Sequence, residues 1–332
     1  TPETATKTNP KNVEGYEFLK PVPVAKQMTK ELKEKGADVI IALSHLGVDE
    51  ETLKDERSTA IADIEGIDIV VDGHSHTEMP TGKKGKYATI VQTGEYLNNF
   101  GVAELKINSK GVSSISAKLV KTPKLEEGKT SASGNLQPDA NVLKIINDVK
   151  AANEKITSQV IGQTPVKLVG EREIVRSQES NLGNLLADAM IAATGADVAI
   201  TNGGGIRESI EAGKITKGDV LTVLPFGNYI VTLNVKGSVI QKALEHGLDT
   251  TPEPAGHYSQ IGGMKVEFDS SKPAGKRIVS VTLNNGKALD QQKTYTLATN
   301  DFMAVGGDEY DMFKGAPGFM VYGSLDDALI DY

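Results

Sequence analysis

Apolar residues near the start of the chain follow two spacings, one typical of helices and one typical of buried strands. Segment 23–35 carries an apolar residue at four-residue intervals, which predicts an amphipathic helix that Gly36 ends. The apolar runs 39–43 and 67–71 predict strands, and a second helix-like stretch, 49–63, separates them. Two successive helix–strand units predict a mostly parallel α/β sheet.

The pattern then changes to short alternating segments. Segments 87–92, 101–107 and 112–120 read as antiparallel strands, with a turn at 108–111. A charged stretch with Gly and Ser follows, from 121 to 138, before an apolar periodicity that predicts a helix of about five turns ending at 160. The chain is therefore expected to divide into three parts, namely 1–122, a linker and connecting helix at 123–160, and 161–332.

The third part predicts its own α/β domain, so the fold class is α/β (α+β). Segment 180–193 is a strongly periodic helix with Ser180 or Asn181 as its N-cap. Further elements are predicted as strands at 197–201 and 229–235 and a helix at 238–248. Segments 279–283 and 295–298 flank the turn sequence Asn284-Asn285-Gly286, which predicts a hairpin.

Composition limits the possible functions. The 332 residues carry a net charge of −8, which argues against a surface that coats nucleic acid. Cysteine is absent, which excludes disulfides, thiolate metal ligands and a cysteine nucleophile. No apolar run approaches the ~18–20 residues needed to span a bilayer. An anionic substrate would have to be held by local positive charge from metals or a few arginines.

Three of the five histidines follow the two apolar runs of the first part. His45 ends the first run, and His74 and His76 follow the second after a glycine. Such strand ends are where parallel sheets place ligands, and an extended backbone would point His74 and His76 to the same side. Imidazoles in this arrangement suit Zn, Mn or Fe, although a histidine at a strand end can also be merely solvated or hydrogen-bonded.

Glycine, arginine and aromatic residues mark loops of the third part. The sequence Asn202-Gly203-Gly204-Gly205-Ile206-Arg207 follows a predicted strand, and three glycines favour a positive φ or a close approach to a ligand. Arg207 offers a planar fork suited to phosphate, as does Arg176 before the helix at 180–193. The alternative without ligand binding is a flexible surface turn at the glycines, with both arginines solvated.

Two of the seven phenylalanines lie among Gly, Pro and Asn rather than in apolar runs. Phe226 and Phe302 are therefore expected on loops, where paired aromatics could sandwich a planar base or instead cap a small core. Asp308, after two glycines, could accept hydrogen bonds from ribose hydroxyls or cap the following turn.

Together these segments resemble one family. Ser44-His45-Leu46-Gly47 and Gly73-His74-Ser75-His76 are similar to the last two metal-binding blocks of the calcineurin-like metallophosphoesterase domain. Four further segments resemble the C-terminal domain of 5′-nucleotidases, namely Arg176 to Leu185, Thr201 to Arg207, Leu224 to Asn228 and Asn300 to Asp308. Four separated blocks in one order are more specific than any block alone.

The resemblance implies roles for the matching residues. His45 and His74 would bind one metal of a site for two divalent ions such as Zn or Mn, and His76 would bind the other. Phe226 and Phe302 would stack on the nucleobase. The full set of implied nucleotide-binding residues is Arg176, Asn202, Gly204, Arg207, Phe226, Asn228, Phe302 and Asp308. The implied reaction is in-line attack by metal-activated water or hydroxide on the 5′-phosphate of a nucleotide such as AMP.

The sequence also departs from the family pattern. The family's earlier blocks, an Asp-x-His block, a bridging Asp and an Asn-His-Asp/Glu block with a catalytic histidine, do not precede Ser44. The chain is therefore expected to be the C-terminal portion of a 5′-nucleotidase: an incomplete metallophosphatase α/β sandwich, a connecting helix resembling a hinge, and a complete substrate-binding domain. Such a chain would bind a nucleotide or nucleoside but turn over little without the missing N-terminal part, and no catalytic residue is identified in it.

Other interpretations stay open from the sequence. The same two-domain architecture occurs in 2′,3′-cyclic-nucleotide phosphodiesterases, UDP-sugar hydrolases and thiosulfate-ester hydrolases. A non-catalytic nucleotide-binding surface module is a further alternative. The resemblance implies an extracellular, cell-wall or periplasmic location and a nucleotide or nucleoside as the partner. The charge and the apolar runs lead us to expect no nucleic-acid polymer as a partner and no membrane span.

Overall fold

The computed structural model describes residues 10–50, 52–109, 111–122 and 138–332, together with Thr4 and Thr8. Residues 123–137 of the predicted linker lie outside this part. Two compact units are present, one comprising Thr1–Thr4 and Tyr16–Lys144 and the other Ala5–Gly15 and Ile145–Tyr332. Both units mix helices with sheets, which confirms the predicted α/β class.

The first unit contains two described helices and six described strands. The helices are α1 (Pro21–Glu34) and α2 (Ser58–Ala62). The strands are β1 (Ile41–Leu43), β2 (Ile69–Val71), β3 (Lys83–Lys84), β4 (Thr89–Val91), β5 (Asn99–Asn108) and β6 (Gly111–Lys121). Helix α1 has proline in its first turn, which is pre-set for a helix start, and a left-handed Gly36 follows its C-cap.

The first sheet has the strand order β1-β2-β4-β3. Strand β1 pairs parallel with β2, and β2 pairs parallel with β4, which confirms a mostly parallel sheet. The prediction of 87–92 as a purely antiparallel strand is wrong, since β4 is antiparallel only to β3. The reason is burial: Ile90 is fully buried, and β4 therefore occupies an inner position with partners on both sides.

The predicted helix at 49–63 is also wrong over most of its length, because among the described residues of this range only those of α2 are helical. Side chains hold the preceding loop in place instead. The Thr52 hydroxyl donates to the Leu46 carbonyl, and the Arg57 side chain donates to the Thr52 carbonyl. The antiparallel pair β5–β6 is confirmed, with its turn between Asn108 and Gly111.

The second unit is larger. Its described helices are α3 (Ala140–Thr157), which begins in the first unit, α4 (Arg172–Val175), α5 (Asn181–Thr194), α6 (Lys217–Val223), α7 (Gly237–Gly247), α8 (Asp301–Ala304) and α9 (Leu325–Asp331). Its described strands are β7 (Val160–Thr164), β8 (Val198–Asn202), β9 (Gly213–Thr216), β10 (Tyr229–Lys236), β11 (Ser259–Gly262), β12 (Met264–Phe268), β13 (Ile278–Leu283), β14 (Thr294–Asn300) and β15 (Met320–Ser324).

A five-stranded sheet of order β11-β8-β14-β10-β15 forms the centre of the second unit. Two separate apolar clusters pack around it, one including α7 and one including α5. Helix α5 is capped by Ser180, whose hydroxyl accepts from the Gly183 amide at 2.9 Å, as one of the two predicted caps.

The predicted hairpin of 279–283 with 295–298 is wrong. Strand β13 pairs with β12, whereas β14 lies in the central sheet between β8 and β10. The turn at Asn284-Asn285-Gly286 does form, but it returns the chain only to Ala288, which bridges to Thr282. Strand β14 is drawn to the sheet centre because Leu297 and Ala298 are fully buried there.

Candidate functional site

The polar loops of the second unit meet at one edge of its central sheet. Strand β8 is parallel to β14, and β10 is antiparallel to β14. The carboxyl ends of β8 and β14 and the amino end of β10 therefore lie at the same edge, which the register Ile230↔Asn300 fixes. The segments next to these three ends are 203–207 after β8, 301–308, which begins with α8, after β14, and 224–228 before β10.

A buried amide–carboxylate network joins two of these loops. The Asn202 side-chain amide donates to Asp308 Oδ2 at 2.7 Å, and Asn300 donates to Asn202 Oδ1 at 3.0 Å. Asn300 also caps α8, because its side chain accepts from the Met303 amide. Asp308 is 5% exposed and has a left-handed backbone (φ 50°), so its carboxylate is held in one direction. The structure thus brings predicted residues Asn202 and Asp308 together.

A second hydrogen bond joins the loops that carry the two phenylalanines. The Asn228 side-chain amide donates to Asp301 Oδ1 at 2.9 Å. Phe226 lies two positions before Asn228 and Phe302 directly follows Asp301, so this bond fixes the two segments that carry the aromatic rings relative to each other. Phe226 is 60% exposed on its loop, as predicted. Phe302 is instead on α8 and packs partly against the core, which corrects the prediction that it lies on a loop.

Two of the three glycines are required by protein packing rather than by a positive φ. A Cβ at position 203 would lie 1.9 Å from the Val175 carbonyl oxygen, and one at 204 would lie 3.0 Å from the Gly256 backbone. The Gly204 amide donates to the Gly256 carbonyl at 2.8 Å. Of the two reasons expected for the glycines, a positive φ is excluded, since none of the three has one. A contact of Gly204 with substrate stays a prediction.

The two predicted arginines occupy different environments. The guanidinium of Arg207 lies over the Phe226 ring, 5.6 Å from its centroid, and donates to the Gly204 carbonyl. Arg176 is 6% exposed at the end of α4, and its backbone carbonyl accepts from the Ala255 amide. Arg207 therefore lies against the exposed aromatic ring, while Arg176 is part of the packed base of the loops.

The first unit places two of its histidines side by side. The rings of His45 and His74 lie 5.2 Å apart at 68°, at the carboxyl ends of the parallel strands β1 and β2. The extended geometry expected for His74 and His76 is wrong, because both have a positive φ, at 77° and 53°. His76 Nδ1 instead contacts the Glu95 carboxylate. That contact favours the proton on Nδ1, as carboxylates commonly do for metal-ligating histidines.

The sequence reasoning missed the residues that hold these histidines. The Asp72 carboxylate accepts from the backbone amides of Leu46 and Gly47 and thereby fixes the loop beyond His45. Gln92 donates to the Gly73 carbonyl at 3.0 Å and accepts from the Thr77 amide at 2.6 Å, which fixes the loop of His74 and His76. One sequence signal could have identified them: Asp72 and Gln92 each directly follow an apolar run that predicts a buried strand.

The two adjacent imidazoles fit part of a metal-binding set. Neutral imidazole nitrogen is a ligand that Zn and Mn accept, and Gly73 leaves room for the ring of His45, since a Cβ there would lie 2.9 Å from its Nδ1. In the part of the chain that the structure describes, no group of three or more His, Cys, Asp or Glu side chains could hold a metal ion. The described residues could therefore supply only part of the ligand set of such an ion.

Comparisons with known proteins agree on one family. Residues 160–315 match the model of the 5′-nucleotidase C-terminal domain. The chain is 32% identical over 95% of its length to the trifunctional nucleotide phosphoesterase protein YfkN of Bacillus subtilis. It is 31% identical over 98% of its length to protein UshA of Yersinia enterocolitica. The crystal structure of a 5′-nucleotidase precursor from Thermus thermophilus superimposes on the whole chain with a TM-score of 0.86 and 33% identity.

The matched share of these proteins differs. The chain spans 21% of YfkN, 64% of UshA and 67% of the Thermus thermophilus protein. Among the described helices, none is both long and apolar enough to cross a membrane. The chain is 33% identical to the Thermus thermophilus protein and covers two thirds of it, and residues 160–315 match the domain model. These two findings establish the family. The chain belongs to the 5′-nucleotidase family.

Proposed function

We propose that the second unit binds the nucleoside part of a nucleotide, and that the whole protein hydrolyses nucleoside 5′-phosphates such as AMP. The observation that carries this proposal is the hydrogen bond from Asn228 to Asp301, because it fixes the loop of Phe226 relative to the start of α8, which carries Phe302. An exposed aromatic ring with a guanidinium over it is a surface on which a planar base can stack.

Polar groups beside the aromatic loops are proposed to hold the rest of the ligand. The Asp308 carboxylate would accept hydrogen bonds from ribose hydroxyls beside the bond from Asn202, because a carboxylate can accept about four hydrogen bonds. Arg176 and Arg207 would bind phosphate or polar groups of the nucleotide. Asn202, Gly204 and Asn228 would line the site. We assign these roles to a domain spanning 161–332, joined through 123–160 to the metallophosphoesterase part at 1–122.

His45, His74 and His76 are proposed to hold two divalent ions together with ligands from elsewhere in the whole protein. When bound, such ions activate water and neutralise phosphate charge in a hydrolysis. Strand β1 is at the edge of the first sheet, and its apolar side chains Ile41 and Leu43 are 59% and 84% exposed. This exposure supports the proposal that another segment of the whole protein covers this edge. Residues 1–332 alone are therefore expected to bind nucleotide but release little phosphate.

We also propose that the protein works outside the cytoplasm, in the cell wall, the periplasm or the medium. One relative, 30% identical over 372 residues, is named snake venom 5′-nucleotidase from Crotalus adamanteus, and venom is a secreted fluid. Fractionation of the source cells with an antibody to the chain tests this location.

Calorimetric titration with adenosine and AMP tests the binding proposal. Phe226→Ala removes an exposed ring at little cost in stability. Loss of the stacking contact between this ring and the base should weaken binding by ~1–3 kcal/mol, or about 5- to 150-fold. Phe319→Ala is the matched control, because Phe319 is 47% exposed in the same unit but lies outside the polar loops.

Equal affinity of the Phe226→Ala variant and the unaltered chain would contradict the proposed base-stacking site. Phosphate release is measured in parallel with AMP, a 2′,3′-cyclic nucleotide and a UDP-sugar, in the presence of Zn or Mn. Strong metal-dependent release from AMP by residues 1–332 alone would contradict the proposed need for further ligands.

A further inference from the structure

A cluster of ring and carboxylate side chains lies directly beneath the Asp308 loop. The imidazoles of His246 and His257 stack with centroids 4.7 Å apart, and the Tyr310 ring meets His246 edge-on at 4.8 Å. Asp249 lies beside both imidazoles, 2.7 Å from His257 Nε2 and 3.4 Å from His246 Nδ1. The sequence reasoning did not assign any role to these four residues.

His246 contacts the Asp308 loop through one hydrogen bond. Its Nε2 lies 2.8 Å from the Asp308 carbonyl oxygen. A carbonyl oxygen can only accept, so His246 Nε2 must carry a proton and donate. The bond therefore fixes the tautomer of His246 and holds the backbone of the residue whose side chain accepts from Asn202.

The Asp308 backbone needs such support because its conformation is unfavourable. Asp308 and Glu309 have φ values of 50° and 64°, and two consecutive left-handed residues other than glycine are uncommon. Such strain persists only where surrounding contacts determine the geometry. Two of the contacts that hold Asp308 are the hydrogen bond from Asn202 to its side chain and the one from His246 to its carbonyl.

The same cluster also anchors the chain segment that supports the glycine loop. The Tyr310 hydroxyl donates to the His257 carbonyl at 2.6 Å. On either side of His257, the carbonyls of Gly256 and Tyr258 accept from the amides of Gly204 and Gly203. The cluster thus connects the Asp308 loop with the glycine loop that follows Asn202.

We propose that His246 is a positioning residue for nucleoside binding, which it supports by holding Asp308 in its left-handed conformation, with Asp249 and His257 fixing the imidazole. This inference rests on the proposed nucleoside site and adds a group that does not touch the ligand. Removal of the donor leaves Asp308 free to leave the left-handed region, and its carboxylate then no longer points in the direction that the ligand requires.

The groups that face His246 also predict how the support changes with pH. They are Asp249, His257, Tyr310 and the loop residues Asp308 and Glu309. Burial lowers the pKa of His246, but its hydrogen bonds to Asp249 and to the Asp308 carbonyl outweigh burial and raise that pKa overall. A protonated imidazole donates a stronger, charge-assisted hydrogen bond to the carbonyl.

The test compares three variants by calorimetric titration with adenosine at pH 6 and pH 8. His246→Leu keeps the bulk but removes the donor, and should weaken binding about tenfold, which corresponds to about 1.4 kcal/mol. His246→Gln can still donate to the carbonyl but cannot titrate, and should bind within about threefold of the unaltered chain at pH 8. Asp197→Asn is the control, since Asp197 precedes β8 and bonds the Thr296 amide at the opposite end of the sheet.

The pH profile distinguishes positioning from a general structural role. The unaltered chain should bind adenosine about threefold more tightly at pH 6 than at pH 8, and His246→Gln should show no such difference. Hydrogen exchange of the amides at 306–310 reports the loop directly and should accelerate in His246→Leu, while far-UV circular dichroism confirms that the variant is folded.

The outcomes separate the two proposals. Failure of the unaltered chain to bind adenosine would refute the nucleoside site and this inference with it. Adenosine binding by the unaltered chain together with unchanged affinity in a folded His246→Leu variant would overturn the role of His246 alone. A pH dependence that persists in His246→Gln would also overturn it, because the titrating group would then be another one.

Discussion

At the scale of single residues, backbone conformation separates what the sequence shows from what only the structure shows. The histidines at the ends of two apolar runs were identified from the sequence because the pattern itself marks strand ends. The left-handed conformations of His74 and His76 were not predicted, because the histidine side chain gives no local signal for a positive φ. The same is true of Asp308, whose conformation depends on partners distant in sequence.

The glycine triplet gives a prediction at this scale. Gly203→Ala should destabilise the second unit by about 1–3 kcal/mol or more, because its Cβ would lie 1.9 Å from the Val175 carbonyl oxygen, and backbone cannot move aside cheaply. Gly205→Ala is the matched control, since its Cβ would meet Asn202 Oδ1 at 3.3 Å and little else. Urea unfolding followed by circular dichroism measures both, and equal midpoints for the two variants would contradict the packing explanation.

At the scale of elements, local periodicity predicted helices better than strand partners. Helix α5 and strand β8 were found within a residue of their ends, because a capped apolar stripe and a fully buried run are both local signals. The hairpin of β13 with β14 was wrong because the turn sequence specifies the turn but not the partner of the strand that follows. Burial of Leu297 in the central sheet decided that pairing instead.

Helix α7 gives the prediction at this scale. His246 lies in its last turn, where a positive charge is favourable, and the pKa of His246 is raised overall. A raised folded-state pKa means that the stabilisation is fully present below the unfolded pKa of about 6.5 and is lost as pH rises through the folded pKa. Contacts with both histidines hold the pKa of Asp249 well below its usual value, so Asp249 stays charged across this range.

The difference in urea unfolding free energy between the unaltered chain and His246→Gln should therefore be larger at pH 6 than at pH 9. A difference that stays constant, or grows with pH, would show that protonation of His246 does not stabilise the folded state.

At the scale of the whole molecule, the proposed chemistry divides between two units that each have their own core. His45, His74 and His76 lie in the unit whose core contains Val70 and Ile90, and the polar loops lie in the unit built on the central sheet. The sequence predicted this division because both motif sets were visible along the chain. It did not predict the Asp72 and Gln92 contacts, since these join residues 15 to 26 positions apart.

Separate cores predict that metal and nucleoside binding are separable. Adenosine affinity, measured by calorimetry, should be the same within error in Zn and in EDTA, because Phe226, Asn202 and Asp308 need no ion to keep their hydrogen bonds and ring contacts. Conversely, His74→Ala should weaken Zn binding by the chain, whereas Phe226→Ala should not, because only His74 belongs to the imidazole pair. Loss of adenosine binding on addition of EDTA would show instead that the nucleoside site depends on a metal, and that the two units do not act independently.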